Sequence, residues 1–161
     1  MAEVIKVGIA DMNICKVPDT ITTVGLGSCV GVVLYDERKK ISGLLHVMLP
    51  DSTRIKDNSN KAKFADTGID FLIKELQELG VHSTSLKAKI AGGAKMFSFA
   101  SESNLGNIGD NNVKAVKAML TKKNIPIIAE DTGENYGRTI VFNPDDFTLL
   151  IKRAGNKSII I

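Results

Sequence analysis

One cysteine and one histidine in this chain stand in settings suited to nucleophilic thiol chemistry. Cys29 lies within T-T-V-G-L-G-S-C-V-G-V-V (Thr22 to Val33), where one β-branched run meets a turn punctuated by Gly25 and Gly27 and a second run follows. His46 sits in L-L-H-V-M-L-P (Leu44 to Pro50), an apolar strand pattern broken by a single imidazole. A thiol attacks only as thiolate, and an ordinary cysteine with a pKa of about 8.5 holds little thiolate at neutral pH. An imidazole beside it supplies the missing base. The question is whether the fold brings the two together.

The segments Val30 to Tyr35 and Ile41 to Leu49 read as a hairpin around the charged loop Asp36-Glu37-Arg38-Lys39. Pairing Tyr35 with Lys40 sets Val30 opposite Leu45, Val32 opposite Gly43 and Leu34 opposite Ile41, a wholly apolar face. A slip of one residue would mix His46 and Ser42 into that face, so hydrophobic segregation argues against it. The other face then opposes Cys29 to His46, with Cβ atoms expected about 4.5–5.5 Å apart.

The remaining elements follow in order. Val4 to Ile9, Ile14 to Val17 and Ile21 to Val24 read as short strands, with a turn at Pro18-Asp19. Asp51 to Lys63 is a long polar loop leaving the histidine strand, a length typical of lids and binding loops or of disordered segments. Phe64, Gly68, Phe71, Leu72, Leu76 and Leu79 recur at helical spacing, and Gly80 stops the helix. Leu86 to Ala91 is a strand, and Ser98 to Asn107 a small-residue loop. Asn107 is the expected cap of a second helix with Ile108, Val113, Val116, Met119 and Leu120 on its apolar face. Ile127 to Glu130 is a strand, and Thr139 to Phe142 with Thr148 to Arg153 a hairpin. The expectation is one domain over 1–161, with 154–161 as a flexible tail. Its fold class is α+β: a layered sandwich of largely antiparallel or mixed β-sheet with helices on one face.

Composition narrows the function. The net charge of +3 is small, and no aromatics interleave with a basic stripe, so no nucleic-acid partner is expected. The N-terminal segment has neither a basic leader nor a long apolar core, and no run approaches the ~18 apolar residues of a membrane span. A cytoplasmic protein with free thiols, no membrane insertion and no cofactor is expected. The glycine turn lacks dinucleotide spacing, because Val30 occupies the position that requires a small residue. Cys15, Cys29, His46 and His82 lack the short-spaced pairs of zinc sites, so no metal is expected. Cys15 reads as a small buried hydrophobe, and His82 as a surface turn residue.

Four motifs taken together resemble one family. T-V-G-L-G-S-C (Thr23 to Cys29), H-V-M-L-P (His46 to Pro50), K-I-A-G-G-A-K-M-F (Lys89 to Phe97) and A-E-D-T-G (Ala129 to Gly133) are similar, in identity and order, to the CheD proteins of bacterial chemotaxis. Glu134 departs from the pattern, standing where a second glycine is expected. The resemblance implies a chemoreceptor glutamine deamidase, a fold related to deamidating toxins, and the CheC phosphatase as a partner beside the chemoreceptors. It implies a catalytic set of Cys29 as nucleophile, His46 as base and Thr23 as orienting group. By its own position alone, Thr23 is an ordinary strand threonine. The chemistry would pass through a thioester, with the oxyanion at the turn of Gly27 and Ser28. Phe97 and Phe99, in a Ser-rich segment, are the candidate partner-binding aromatics, with core packing as the alternative reading of each. The rival functions are a non-enzymatic adaptor for receptors and CheC, and a thiol-dependent glutamyl methylesterase.

Overall fold

Strands β4 (Val30–Asp36) and β5 (Ile41–Val47) read as nearly continuous apolar runs because both of their faces are covered. The computed structural model describes residues 1–96, 107–155 and 157–161. Its other strands are β1 (Val4–Val7), β2 (Met12–Lys16), β3 (Thr20–Leu26), β6 (Lys87–Gly92), β7 (Ile127–Thr132), β8 (Arg138–Asn143), β9 (Thr148–Arg153) and β10 (Lys157–Ile160). They form two five-stranded mixed sheets, ordered β1-β3-β8-β9-β10 and β2-β5-β4-β6-β7. Helices α1 (Ala65–Glu78) and α2 (Ile108–Lys122) cover the outer face of the second sheet. The result is the α+β layered sandwich expected from the sequence.

Alternation along β4 and β5 divides the core in two. Val30, Val32, Leu34, Leu45 and Val47 face the helices, against Ile69, Leu72 and Leu76 of α1 and Val116 and Leu120 of α2. Val33, Tyr35 and Leu44 face the first sheet, against Ile21, Ile140, Phe142, Leu149 and Ile151. In α1 the buried residues recur three or four apart, and Gly80 at φ 87° closes the helix by donating to Gln77 O at 2.9 Å.

The hairpin register differs from the expected one. Tyr35 pairs with Ser42, Val30 with Val47, and Gly31, not Cys29, stands opposite His46. The closing pair is Asp36 with Ile41. The Asp36 carboxylate accepts the N–H groups of Arg38 at 2.9 Å and Lys39 at 3.2 Å, and its carbonyl accepts from Lys40 N at 3.0 Å. Asp36 thus ends the strand and builds the turn, a role that short acidic side chains take readily. The shift is even, so every side chain keeps its face and only the partners change.

Three further differences are local. Residues 154–161, expected as a flexible tail, include β10, which pairs antiparallel with β9. Ile159 and Ile161 of that segment pack against the inter-sheet core, which explains why the chain stays there. The Asp51 to Lys63 loop is pinned: Lys63 O accepts from Met48 N and Leu49 N, and Asn60 Nδ2 donates to Ala10 O. Asn107 precedes α2 but makes no side-chain capping bond among the described residues.

At the end of the sandwich where β3 leaves for β4, a charged cluster ties the sheets together. Asp131 on β7 accepts from Arg138 Nε of β8 at 3.0 Å and from Arg153 Nη2 of β9 at 2.8 Å. Arg138 also donates to Gly133 O at 3.0 Å, and the Tyr136 ring lies 4.5 Å from its guanidinium. Burial by itself would raise the Asp131 carboxyl, but hydrogen bonds from Arg153 and Arg138, with their charges, hold it below the usual carboxylate range. Removing one partner of a buried pair leaves the other charge uncompensated. Asp131→Ala should therefore lower the unfolding free energy by about 3 kcal/mol or more in urea titration. A loss under about 1 kcal/mol would mean that the buried Arg138 does not depend on this carboxylate.

Candidate active site

The T-V-G-L-G-S-C stretch carries the chain from one sheet to the other. Thr23 faces inward on β3, beside Ile21. Between Thr23 and Leu26 the pairing with β8 shifts by one residue, and Gly25 takes φ 73° there. The glycine thus serves a β-bulge, which lets both Thr23 and Leu26 face the core. Gly27, Ser28 and Cys29 then cross to β4 in the second sheet.

That crossing is held by its carbonyls. Gly27 O accepts from Ala94 N at 2.8 Å, Ser28 O from Asn112 Nδ2 at 3.0 Å, and Cys29 O from Gly93 N at 2.8 Å. The N–H groups of Ser28 and Cys29 have no partner among the described residues. Close approach explains the A-G-G-A motif: a Cβ on Gly92, at φ 115°, would sit 2.3 Å from Cys29 O. A Cβ on Gly93 would meet Val113 at 2.2 Å, so both glycines are needed to seat this loop between the turn and α2.

His46 is fully buried on the inner face of β5, opposite Gly31. Its Nδ1 lies 2.7 Å from Thr23 Oγ1, a bond that spans the two sheets. Thr23 Oγ1 also lies 2.7 Å from Val7 O. A hydroxyl has one proton, and the carbonyl can only accept, so the Thr23 proton goes to Val7. Nδ1 must then carry the imidazole proton and donate to Thr23. This assigns the tautomer: Nε2 keeps a free lone pair. That nitrogen is buried and has no hydrogen-bond partner among the described residues.

Cys29 is half-buried and packs against the same inter-sheet cluster that His46 faces. Two residues before Gly31, it stands diagonal to His46, where Cβ atoms are about 7–8 Å apart or somewhat less in a regular ladder. No hydrogen bond joins its sulfur to the imidazole among the described residues. Burial raises the Cys29 thiol above its ordinary value and pushes His46 down to about 4. Both groups are therefore neutral at pH 7, with the Nε2 lone pair of the imidazole free. Cys15 is buried, its thiol pushed up to about 11 chiefly by desolvation, and both cysteines are free. His82 lies exposed in a turn between α1 and β6. Among the described residues no three His, Cys, Asp or Glu side chains converge as metal ligands. Phe97 and Phe99 lie outside the described residues.

Asn112 escapes a reading by residue type. It is fully buried on α2, between Gly109 and Val116 on the helix's core stripe. Its amide nitrogen bonds Met48 O at 3.1 Å as well as Ser28 O. The signal available was an amide recurring in phase with an apolar stripe.

Comparison with known proteins shows the family of the chain. Residues 48–153 match the family model described as CheD chemotactic sensory transduction. The chain belongs to the CheD family. It is 63% identical over 155 residues to the probable chemoreceptor glutamine deamidase CheD of Lachnoclostridium phytofermentans, covering 96% of each chain. It is 53% identical over 162 residues to the chemoreceptor glutamine deamidase CheD of Halalkalibacterium halodurans, covering 99% of this chain and 100% of that one. For Caldanaerobacter subterraneus, a probable chemoreceptor glutamine deamidase CheD is 54% identical, with 96% of each chain covered. Glu134, where the family pattern suggested glycine, adopts φ 62° beside Gly133 at 80°, so the backbone keeps the left-handed turn in this CheD chain without the second glycine.

The depressed imidazole makes stability depend on pH with a definite sign. Unfolded His46 takes up a proton near its ordinary 6.5, whereas the folded residue refuses it until about 4. Stability attributable to His46 is complete above pH 6.5 and falls as the pH drops toward 4, by about 1.4 kcal/mol per unit. Urea titrations across this window should show a shallower acid loss in His46→Gln than in wild type. Parallel slopes would mean that folded His46 titrates normally.

Proposed function

We propose that this chain hydrolyses glutamine side-chain amides of chemoreceptors to glutamate, with Cys29 as nucleophile, His46 as base and Thr23 as orienting group. The single observation that carries the assignment is the Val7–Thr23–His46 chain of hydrogen bonds, which leaves Nε2 of a neutral imidazole as the free base. The names of the relatives supply the substrate class.

The reaction begins from a neutral pair. As the Cys29 sulfur approaches the carboxamide carbon, its proton passes to His46 Nε2 and the C=O electrons move onto oxygen. The N–H groups of Ser28 and Cys29, unpartnered among the described residues in the turn of Gly27 and Ser28, donate to that oxyanion. The tetrahedral species collapses with loss of the C–N bond, and the imidazolium gives its proton to nitrogen, releasing ammonia. Water then attacks the thioester carbonyl with His46 as base. The C–S bond breaks, the thiol is restored and glutamate leaves. Thr23 holds the ring throughout without adding a buried charge, which accounts for a hydroxyl where many thiol enzymes use an amide or carboxylate.

The cytoplasm is the proposed compartment, and among the described residues no helix is long and apolar enough to cross a membrane. The CheC phosphatase is the proposed partner, on the family resemblance alone.

Purified protein incubated with a glutamine-bearing receptor fragment should convert amide to acid, seen by peptide mass, with release of ammonia. Cys29→Ala should abolish conversion while keeping the wild-type unfolding midpoint, because Cys29 lies on the crossing turn and not within a strand. Cys15→Ala should stay active. Turnover by Cys29→Ala near the wild-type rate would exclude the thiol mechanism.

A further inference from the structure

We infer that Asn112 is a positioning residue that aims the Cys29 N–H at the oxyanion, an inference that rests on the deamidase reading. Of the three carbonyls tethered along the crossing turn, only Ser28 O is held by a side chain; the other two are held by backbone of the glycine loop. That carbonyl belongs to the same peptide unit as the Cys29 N–H. In a trans peptide the C=O and N–H point in opposite directions. Drawing Ser28 O toward α2 therefore turns the Cys29 N–H away from the helix, where it finds no partner among the described residues.

The orientation of the Asn112 amide follows from its neighbours. Its nitrogen lies 3.0 Å from Ser28 O and 3.1 Å from Met48 O, two acceptors that match its two protons. The flipped amide would press oxygen against two carbonyl oxygens. Asn112 Oδ1 is buried with no partner among the described residues, so the residue carries an unmatched acceptor for the sake of its two donors. An orphaned buried polar atom of this kind is costly. A core position on a helix face would be filled at lower cost by an aliphatic residue, so packing does not explain asparagine here.

The base is held separately. His46 N donates to Asp11 O at 3.0 Å, and its ring is fixed by Thr23. Loss of Asn112 should therefore disturb the oxyanion donor while leaving the imidazole in place. Alkylation separates the two effects, because iodoacetamide consumes the thiolate by displacement at a saturated carbon and forms no oxyanion.

The experiment compares wild type and Asn112→Ala in receptor-fragment deamidation and in the pH profile of Cys29 alkylation by iodoacetamide. Asn112→Ser serves as a second variant, since its short hydroxyl cannot reach both carbonyls. The expected result is a fall in kcat of roughly 100-fold, the scale of losing one oxyanion donor. KM and the alkylation rate at each pH should stay within about threefold, a margin small beside that loss. A kcat within about threefold of wild type in either folded variant overturns the inference. Deamidation and alkylation falling together also overturn it, because Asn112 would then be holding the whole site and not the oxyanion donor. A wild type that leaves the receptor glutamines unchanged while alkylating normally overturns the deamidase reading, and this inference with it.

Discussion

One proton on one hydroxyl organises this site. Thr23 has a single hydrogen to give, and Val7 O, which can only accept, takes it. Every later feature of the imidazole follows: Nδ1 donates, Nε2 is bare, and the ring is fixed across the gap between two sheets. Sheets pack about 10 Å apart, so an ordinary pair of facing side chains fills that gap with apolar atoms. Here a short threonine and a histidine meet through a polar bond instead. Gly31 opposite His46 lets the first sheet come close, since a Cβ there would lie 2.7 Å from Ile140 Cδ1.

Burial acts on both members of the Cys29–His46 pair in the same sense, favouring the neutral forms. That distinguishes the site from a thiolate–imidazolium pair held ready in the resting state. On the proposed mechanism its reactivity resides in donors arranged for the transition state, and the crossing turn suits that task. All three carbonyls from Gly27 to Cys29 are bonded into the protein, while the N–H groups of Ser28 and Cys29, without partners among the described residues, are on the proposed mechanism left for a substrate. The glycines of the A-G-G-A motif serve that end by removing the Cβ atoms that would push the loop off Cys29.

The sequence disclosed side-chain faces better than partners. Alternating hydrophobicity correctly grouped Val30, Val32 and Leu34 on one face, which the structure shows covered by the helices. It could not separate registers differing by two residues, because both segregate apolar from polar equally well. Asp36 decided between them, and its turn chemistry was read as part of a generic charged loop. The terminal strand β10 was missed because three isoleucines at a chain end gave no alternation to read, although Gly155 marks the turn before them. Asn112 was invisible for a different reason. Its partners are backbone carbonyls more than sixty positions away, and no local pattern encodes them.

The crossing of the chain from β3 to β4 also bears on how the protein comes into being. Thr23 belongs to one sheet and His46 to the other, and the cysteine lies on the cord between them. Neither half of the sandwich, formed by itself, contains a thiol with a fixed base. On the proposed mechanism, the nucleophile and its fixed base therefore come together only when the two halves close on each other. Reactivity is in this way tied to completion of the tertiary structure.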